Sequence, residues 1–414
     1  MPNPRLEATH DPKGGRPRSA LLRAAVTVTT VALALGGAGT ALAAPATSPP
    51  PVTVLSPHGA VGAGDIFISP TGDAQTYANG PEILDRGGKV LWFHPIPQGQ
   101  TASDFRVQRY RGQRVLTWWQ GTGLGGLASG TDYIYNDRYQ PLATVTAGNG
   151  LSADGHEFVI TRRNTALILA YTTATADLTS IGGPKNQTVI NGVVQDIDIA
   201  TGRVLFQWTS ADHVPYSQSE QPLPASASTP WDWFHINAVH LDTDGNLLID
   251  ARNTWTTYKV DHRTGQIIWR LGGKDSSFKL AAAPGQSLNN AGAIFAWQHD
   301  PEAIGHDKYT WFDNESTGTA EFPTSRAVTV KLDPHTRTAT LISSADQPEG
   351  LLAPSQGNAQ TTGKGDLFVG WGALPYISEF SPTGQLLFNA QFPTGVNTYR
   401  AYLLPWPAAD RSAN

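Results

Sequence analysis

Three histidines recur at one kind of place in this chain, and residues suited to anions lie beside them. His156 sits in "DGHEFVIT", His235 in "FHINAVH" and His299 in "WQHDPEAI", each where an apolar strand begins. A fourth stretch, "SQGNAQ", carries Gln356 and Asn358 at the positions that His235 and Asn237 hold in theirs. Arg252 ends the strand in "LLIDARN", and the DG turn before that strand folds it back beside His235. Three imidazoles can bind a metal, or they can serve as nucleophile and acid/base groups around a substrate. The guanidinium favours the second use, because it repels a dication and matches sulfate, phosphate or carboxylate. Asn237, two residues beyond His235, is expected on the same side of the strand by period two, where it adds a neutral donor for the anion.

The elements that position these residues repeat along the chain. One element is a polar residue, a turn ending in Gly and an apolar strand: "ILDRGGKVLWFH", "DIDIATGRVLFQW", "VDHRTGQIIWRLGG" and "EFSPTGQLLFNA" are examples. Glycine supplies the positive φ such turns need. A second element, two strands around a polar turn, precedes several of these, as in "INAVHLDTDGNLLIDAR" and "EAIGHDKYTWFDN". Together they make four-stranded up-and-down units that start near 60, 105, 156, 235, 299 and 356. Six such units predict an all-β, six-bladed β-propeller of four-stranded antiparallel blades around a central channel. In that fold the first strand of each blade lines the channel, so the histidines at successive blade starts converge on one cavity. A β-sandwich with a second β domain is the competing architecture. Stretches 171–192, 210–232 and 272–293 read as insertions between strands.

Composition agrees with a β-rich chain: 42 Gly and 30 Pro interrupt short apolar runs among 12 Trp, 12 Tyr and 14 Phe. Only 15% of residues are charged, the formal net charge is −5, and no basic run follows a phosphate backbone, so no nucleic-acid partner is expected. Five basic residues precede the uncharged stretch "AAVTVTTVALALGGAGTALAAPA", which ends in an A-L-A cleavage signal. The expected organisation is a signal peptide over 1–43, a Pro-rich linker over 44–58, one propeller over 59–408 and a tail over 409–414. Cleavage takes away five basic and two acidic residues and moves the formal charge from −5 to −8. The protein is expected outside a bacterial cell, without stable membrane insertion. The chain has no Cys, so disulfides and thiol chemistry are excluded.

The remaining histidines read differently. His240, His262, His306 and His335 lie in or beside turn-like stretches and read as surface residues, and His213 falls in an insertion. Trp269 and Trp297 read as packing between blades. Trp231, Trp233, Phe234 and Trp255 adjoin the site and are candidates for touching an aromatic ligand.

The stretch "FHINAVHLDTDGNLLIDARNTWTTYKVDHRTGQIIWRLGGKDSSF", followed by "FAWQHD", "SQGNAQ" and "NTYRAYLLPW", resembles the secreted bacterial and fungal arylsulfotransferases that work independently of 3′-phosphoadenosine phosphosulfate. The resemblance runs from about 60 to 407. It implies a six-bladed propeller that carries a sulfuryl group from an aryl sulfate ester to a phenolic acceptor, ping-pong, through a sulfated histidine. It matches His299 to that histidine, His235 and Asn237 to an H-x-N pair, Arg252 to an anion-binding arginine and His156 to a further channel histidine. Gln356 and Asn358 join Asn237 as substrate-binding candidates. No cofactor and no metal is expected. Either His156 or His235 can act as the acid/base group. Two other readings stay open: a non-catalytic propeller that binds anionic aromatic ligands, and a quinone- or metal-dependent propeller enzyme.

Overall fold

The computed structural model describes residues 46–57, 63–123, 127–316 and 321–406. The chain divides into two units, Met1–Ala43 and Ala44–Asn414. The signal peptide expected over 1–43 lies outside the described residues, as does the tail over 409–414. The described residues of the second unit form six sheets, antiparallel except for one added parallel strand.

Blade 1 holds β2 (Asp65–Thr71), β3 (Glu82–Leu84) and β4 (Val90–Phe93); blade 2 holds β5 (Thr101–Tyr110), β6 (Gln113–Thr122), β7 (Ser129–Tyr135) and β8 (Pro141–Val145). Blade 3 follows with β9 (Phe158–Ile160), β10 (Thr165–Ala176), β11 (Gln187–Asp198) and β12 (Val204–Thr209). Blade 4 is β13 (Ile236–Leu241), β14 (Leu247–Ala251), β15 (Thr256–Val260) and β16 (Ile267–Gly272). Blade 5 is β18 (His299–Gly305), β19 (Lys308–Asp313), β20 (Arg326–Asp333) and β21 (Thr338–Asp346), with β17 (Lys279–Ala282) added in parallel to β21. Blade 6 is β22 (Asn358–Thr361), β23 (Leu367–Gly370), β24 (Tyr376–Phe380) and β25 (Leu386–Gln391). The six-bladed propeller expected from the repeats is the fold observed.

Closure differs from the simple repeat. Blade 1 is not four consecutive strands from near 60, because its innermost strand is β26 (Asn397–Leu404), which pairs with β2. At the other end, β1 (Thr53–Pro57) pairs with β25 as the fifth, outermost strand of blade 6. The stretch read as a Pro-rich linker over 44–58 therefore contributes a strand. Each end of the unit completes the other end's blade, which leaves no open edge between first and last blades. The expected insertion at 171–192 is mostly the paired ends of β10 and β11, where Tyr171 faces Gly192.

Apolar side chains fill the spaces between blades, and each of blades 2 to 6 contributes a fully buried tryptophan: Trp118, Trp208, Trp233, Trp311 and Trp371. Around the channel, side-chain amides bridge neighbouring inner strands. Asn358 of β22 donates to the Ala401 carbonyl (2.8 Å) and accepts from its N–H (2.9 Å) on β26. Gln360 does the same for Leu403, and Gln108 of β5 bonds Phe158 and Ile160 of β9. These amides satisfy buried backbone groups that would otherwise be left without partners.

Candidate active site

His156, His235 and His299 sit at the start of the inner strands of blades 3, 4 and 5, and the fold brings them to one place. The rings of His156 and His235 are 5.3 Å apart, nearly perpendicular. His299 is close enough to both, and to Arg252, that their charges act on it. Each imidazole is held by its Nδ1. His156 meets Asp154, His235 meets Asp232, and His299 meets the Asn314 side-chain oxygen at 2.7 Å. Sequence reasoning did not single out these three partners. The DxH spacing of 154–156 and the DxxH spacing of 232–235 carried a signal, whereas Asn314 lies just past the end of the next strand, β19, and carried none.

Asn314 fixes the tautomer of His299. Its amide nitrogen donates to the carbonyls of Ala353 and Gln356, both at 3.0 Å, so its oxygen is the atom facing His299. The proton then lies on Nδ1 and the lone pair on Nε2, which accepts a 3.2 Å hydrogen bond from the Gln356 backbone N–H. Burial, then the Arg252 charge, hold His299 well below the ordinary histidine range. It is a neutral imidazole with an unprotonated Nε2, the form required of a nitrogen nucleophile. The turn that presents Gln356 needs the next residue to be glycine, because Gly357 has φ +106° and a Cβ there would lie 2.4 Å from the Phe312 ring.

Arg252 stands beside His235 as the hairpin predicts, its backbone N–H donating to the His235 carbonyl at 3.0 Å. Its guanidinium bonds the Asn253 side chain and the Pro354 carbonyl, and its carbon lies 5.1 Å over the Trp297 ring. Burial lowers its pKa to about 10, so it stays charged at neutral pH. Trp297 packs edge-on against Trp255 at 5.3 Å, so it belongs to the wall of the site and not only to blade packing. Trp231, Trp233 and Phe234 are buried in the core between blades 3 and 4 instead. Three buried donors near the histidines have no partner: Arg252 Nε, the Trp255 indole N–H and the Tyr399 hydroxyl. Each costs about 1–3 kcal/mol to leave unpaired, so the arrangement favours an oxygen-rich anion.

Other expectations need correction. Asn237 does not offer its amide to an anion at the histidines. His235 has a left-handed φ of 51° and β13 bulges between Ile236 and Ala238, so period two fails there. The Asn237 amide instead donates to the Gln298 carbonyl at 2.7 Å and also supports Asp250. Asn358 is spent on Ala401, as described. Asn237 and Asn358 do match each other, but as clasps between blades. Gln356 reaches the site through its backbone. His240 is not a surface residue. It lies on β13, buried, with Nε2 3.0 Å from Glu157 and 3.1 Å from Asp300. His262, also read as a surface residue, is largely buried against Asp196, and His213 stacks on Trp208 rather than lining the channel.

His240 belongs to an ionic network on the channel axis below the histidines. Arg400 of β26 contacts Glu157 at 2.9 Å, Asp300 at 3.2 Å and Asp104 at 3.3 Å, while Arg106 binds Asp104 and Glu157. These residues come from blades 1 to 5. Glu157, His240 and Asp300 hold potential ligand atoms within 4.8 Å of one another. Arg400 already sits on the same carboxylate oxygens of Glu157 and Asp300, and a metal ion would have to share them with a fixed cation.

Among the described residues no helix is long and apolar enough to cross a membrane. Among solved structures the chain is similar to a protein of unknown function from Bacteroides caccae, with TM-score 0.48 and 10% identity over 82% of this chain and 98% of that one. It is also similar to the periplasmic gluconolactonase PpgL of Pseudomonas aeruginosa, with TM-score 0.41 and 12% identity over 83% and 99%. No curated protein matches. The model of the arylsulfotransferase (ASST) family matches residues 106–393, a span that includes the three histidines, Arg252 and Asn314. The chain belongs to the arylsulfotransferase family.

Proposed function

We propose that this protein transfers a sulfuryl group from an aryl sulfate to a phenol by a ping-pong route, with His299 as the covalent carrier. The observation that carries the reading is the tautomer of His299: Asn314 holds the proton on Nδ1, so that Nε2 is unprotonated and within reach of the Arg252 charge. In the first half-reaction Nε2 bonds to sulfur, the S–O bond to the aryl group breaks with its electron pair on the aryl oxygen, and that oxygen takes a proton. Arg252 stabilises charge on the nonbridging oxygens. The proton comes from His156 or His235, each held in orientation through Nδ1 by an aspartate. An incoming phenol returns the proton to the same imidazole as it accepts the sulfuryl group. A ping-pong order follows from a single covalent histidine, which lets one site serve both half-reactions. The N-terminal stretch supports export to the cell exterior, where such a donor would be met.

One observation favours binding without transfer: the Gln356 N–H already occupies the His299 lone pair. Incubation of the purified protein with 4-nitrophenyl sulfate and a phenol separates the two readings. Release of 4-nitrophenol by the wild type and its loss in His299→Ala are expected, with a drop of at least ~10³-fold for a missing nucleophile. Equal release by both proteins, or none, rejects transfer.

A further inference from the structure

We infer that Tyr399 is a further catalytic residue of this site, its hydroxyl donating a hydrogen bond to the aryl oxygen as that oxygen leaves sulfur. The inference rests on the sulfuryl-transfer reading and names a group that neither the repeats nor the histidine motifs single out. Tyr399 lies on β26, the strand that the C-terminal end of the chain supplies to blade 1. Its ring meets the His156 ring at 5.6 Å, 79° apart. Its backbone carbonyl accepts from the Gly357 N–H at 3.0 Å, and Gly357 follows the residue whose N–H touches His299 Nε2. Tyr399 therefore lies beside the candidate acid/base group, and its backbone holds the turn that contacts the candidate nucleophile.

The state of its hydroxyl makes the assignment. Tyr399 is 3% exposed, and its hydroxyl has no hydrogen-bond partner. The other tyrosine of the cluster, Tyr171, has spent its hydroxyl on the Ile236 carbonyl, and Tyr402, three residues along β26, donates to Asp104 at 2.8 Å. A buried phenol that donates to nothing is costly for the fold, and the neighbouring tyrosines show that the fold can supply acceptors. Burial keeps the Tyr399 proton in place well above the ordinary phenol range. Tyr399 therefore acts as a donor and not as the proton source. In the transfer step the electron pair of the S–O bond passes to the aryl oxygen, His156 supplies the proton, and Tyr399 stabilises the charge before the proton arrives. In the second half-reaction the same hydroxyl orients the attacking phenol.

The test is Tyr399→Phe assayed with two donors of different leaving group, 4-nitrophenyl sulfate and phenyl sulfate, at a fixed phenol concentration. A phenolate that leaves with more charge needs the donor more. The expected loss in kcat/KM is about 10-fold for 4-nitrophenyl sulfate and about 100-fold for phenyl sulfate. Because an unpaired hydroxyl is removed, the melting midpoint should stay level or rise by ~1–3 °C. Equal losses for the two donors, or no loss, overturn the role at the leaving oxygen. A fall in the midpoint also overturns it, by showing that the hydroxyl has a structural partner. If the wild type itself turns over neither donor, sulfuryl transfer fails and the Tyr399 role goes with it; turnover by the wild type with a uniform loss removes Tyr399 alone.

Discussion

The channel contains two polar regions assembled from neighbouring residues of the same strand starts. His156, His299 and Tyr399 form the upper one, and the residues that follow them, Glu157, Asp300 and Arg400, form the lower one. In the lower region each charge has an opposite partner: Arg400 meets three carboxylates, Arg106 meets two and His240 meets two. In the upper region Arg252 Nε, the Trp255 N–H and the Tyr399 hydroxyl face no acceptor; below, Arg106 Nε and Arg400 Nε also lack one, but their guanidiniums are paired to carboxylates through their other nitrogens. Left-handed φ occurs in both regions, at His235 (51°), Trp255 (50°), Trp297 (59°) and Gln356 (66°) above and at Asp104 (52°) and Asp300 (56°) below. Matched charges tie five blades together, whereas the upper donors, two of them neutral groups with no hydrogen bond at all, mark where a ligand is expected to complete the structure. Fold and function are divided between adjacent residues.

The largest effect that separates the regions should come from Arg400. Replacing it by Leu leaves Asp104, Glu157 and Asp300 crowded without their shared cation. Loss of one partner from a buried ionic set costs about 3–5 kcal/mol. Thermal unfolding of Arg400→Leu should show a large drop in midpoint, while His299→Ala should melt close to the wild type. Similar midpoints for the two variants would erase the distinction.

The same network should respond to pH in a direction fixed by His240. Although burial disfavours its charge, Glu157 and Asp300 raise its pKa from 6.5 to about 10. A histidine raised on folding contributes stability that is fully present below the unfolded pKa of about 6.5 and is lost as pH rises through the folded value. The melting midpoint should therefore decline between about pH 7 and pH 10, by the equivalent of a few kcal/mol at most. His240→Asn should be less stable at pH 6 and should show a shallower decline above it. Parallel curves for the two proteins would remove His240 from the network.

How much of this was legible depended on the signal each region leaves in sequence. Histidine is rare enough that three at equivalent strand starts stand out, and the DG turn fixes Arg252 beside His235. Six blades follow from recurring turns. The lower region was not legible, because His240 lies next to the turn "LDTDG" and reads as part of it, and because acidic and basic residues at strand starts usually face water. The pattern was present as pairs of adjacent residues, His156–Glu157, His299–Asp300 and Tyr399–Arg400, but period two assigns the second member of each to the opposite face. Bulges in β13 and β18 and the left-handed turns at His235 and Asp300 are what let both regions face one channel. The same bulge misdirected Asn237. The pairing of β26 with β2 was invisible because nothing local distinguishes a strand that closes a ring from one that starts a new blade.

Within the upper region, the contrast between His299 and its two neighbours rests on one atom type. Asp154 and Asp232 back His156 and His235, whereas Asn314 backs His299. Asn314→Asp would give His299 the same kind of partner. A carboxylate stabilises the imidazolium, so the His299 pKa should rise and the nucleophile should be protonated over a wider pH range. Activity should fall by about 10- to 100-fold near pH 6 and recover as pH increases, which places the acidic limb of the kcat/KM profile at higher pH than in the wild type. A uniform loss at every pH would mean that Asn314 only supports the loop through Ala353 and Gln356.

The smallest effect should come from the wall of the site. Trp255 packs on Trp297, and Trp297 lies against Arg252. Its indole N–H is buried without a partner, so it is a second donor to an anion held by Arg252. Trp255→Phe keeps an aromatic edge against Trp297 but removes the donor. A neutral hydrogen bond contributes about 0.5–1.5 kcal/mol, which corresponds to a rise of roughly 2- to 10-fold in KM for 4-nitrophenyl sulfate with kcat little changed. Stability should not fall, since no bond within the fold is lost. If kcat falls and KM does not, Trp255 acts on the transition state and the donor set that stabilises it is larger than Arg252 and Tyr399. If the melting midpoint drops instead, the strained φ of Trp255 serves packing, and the boundary between the two regions lies closer to the histidines.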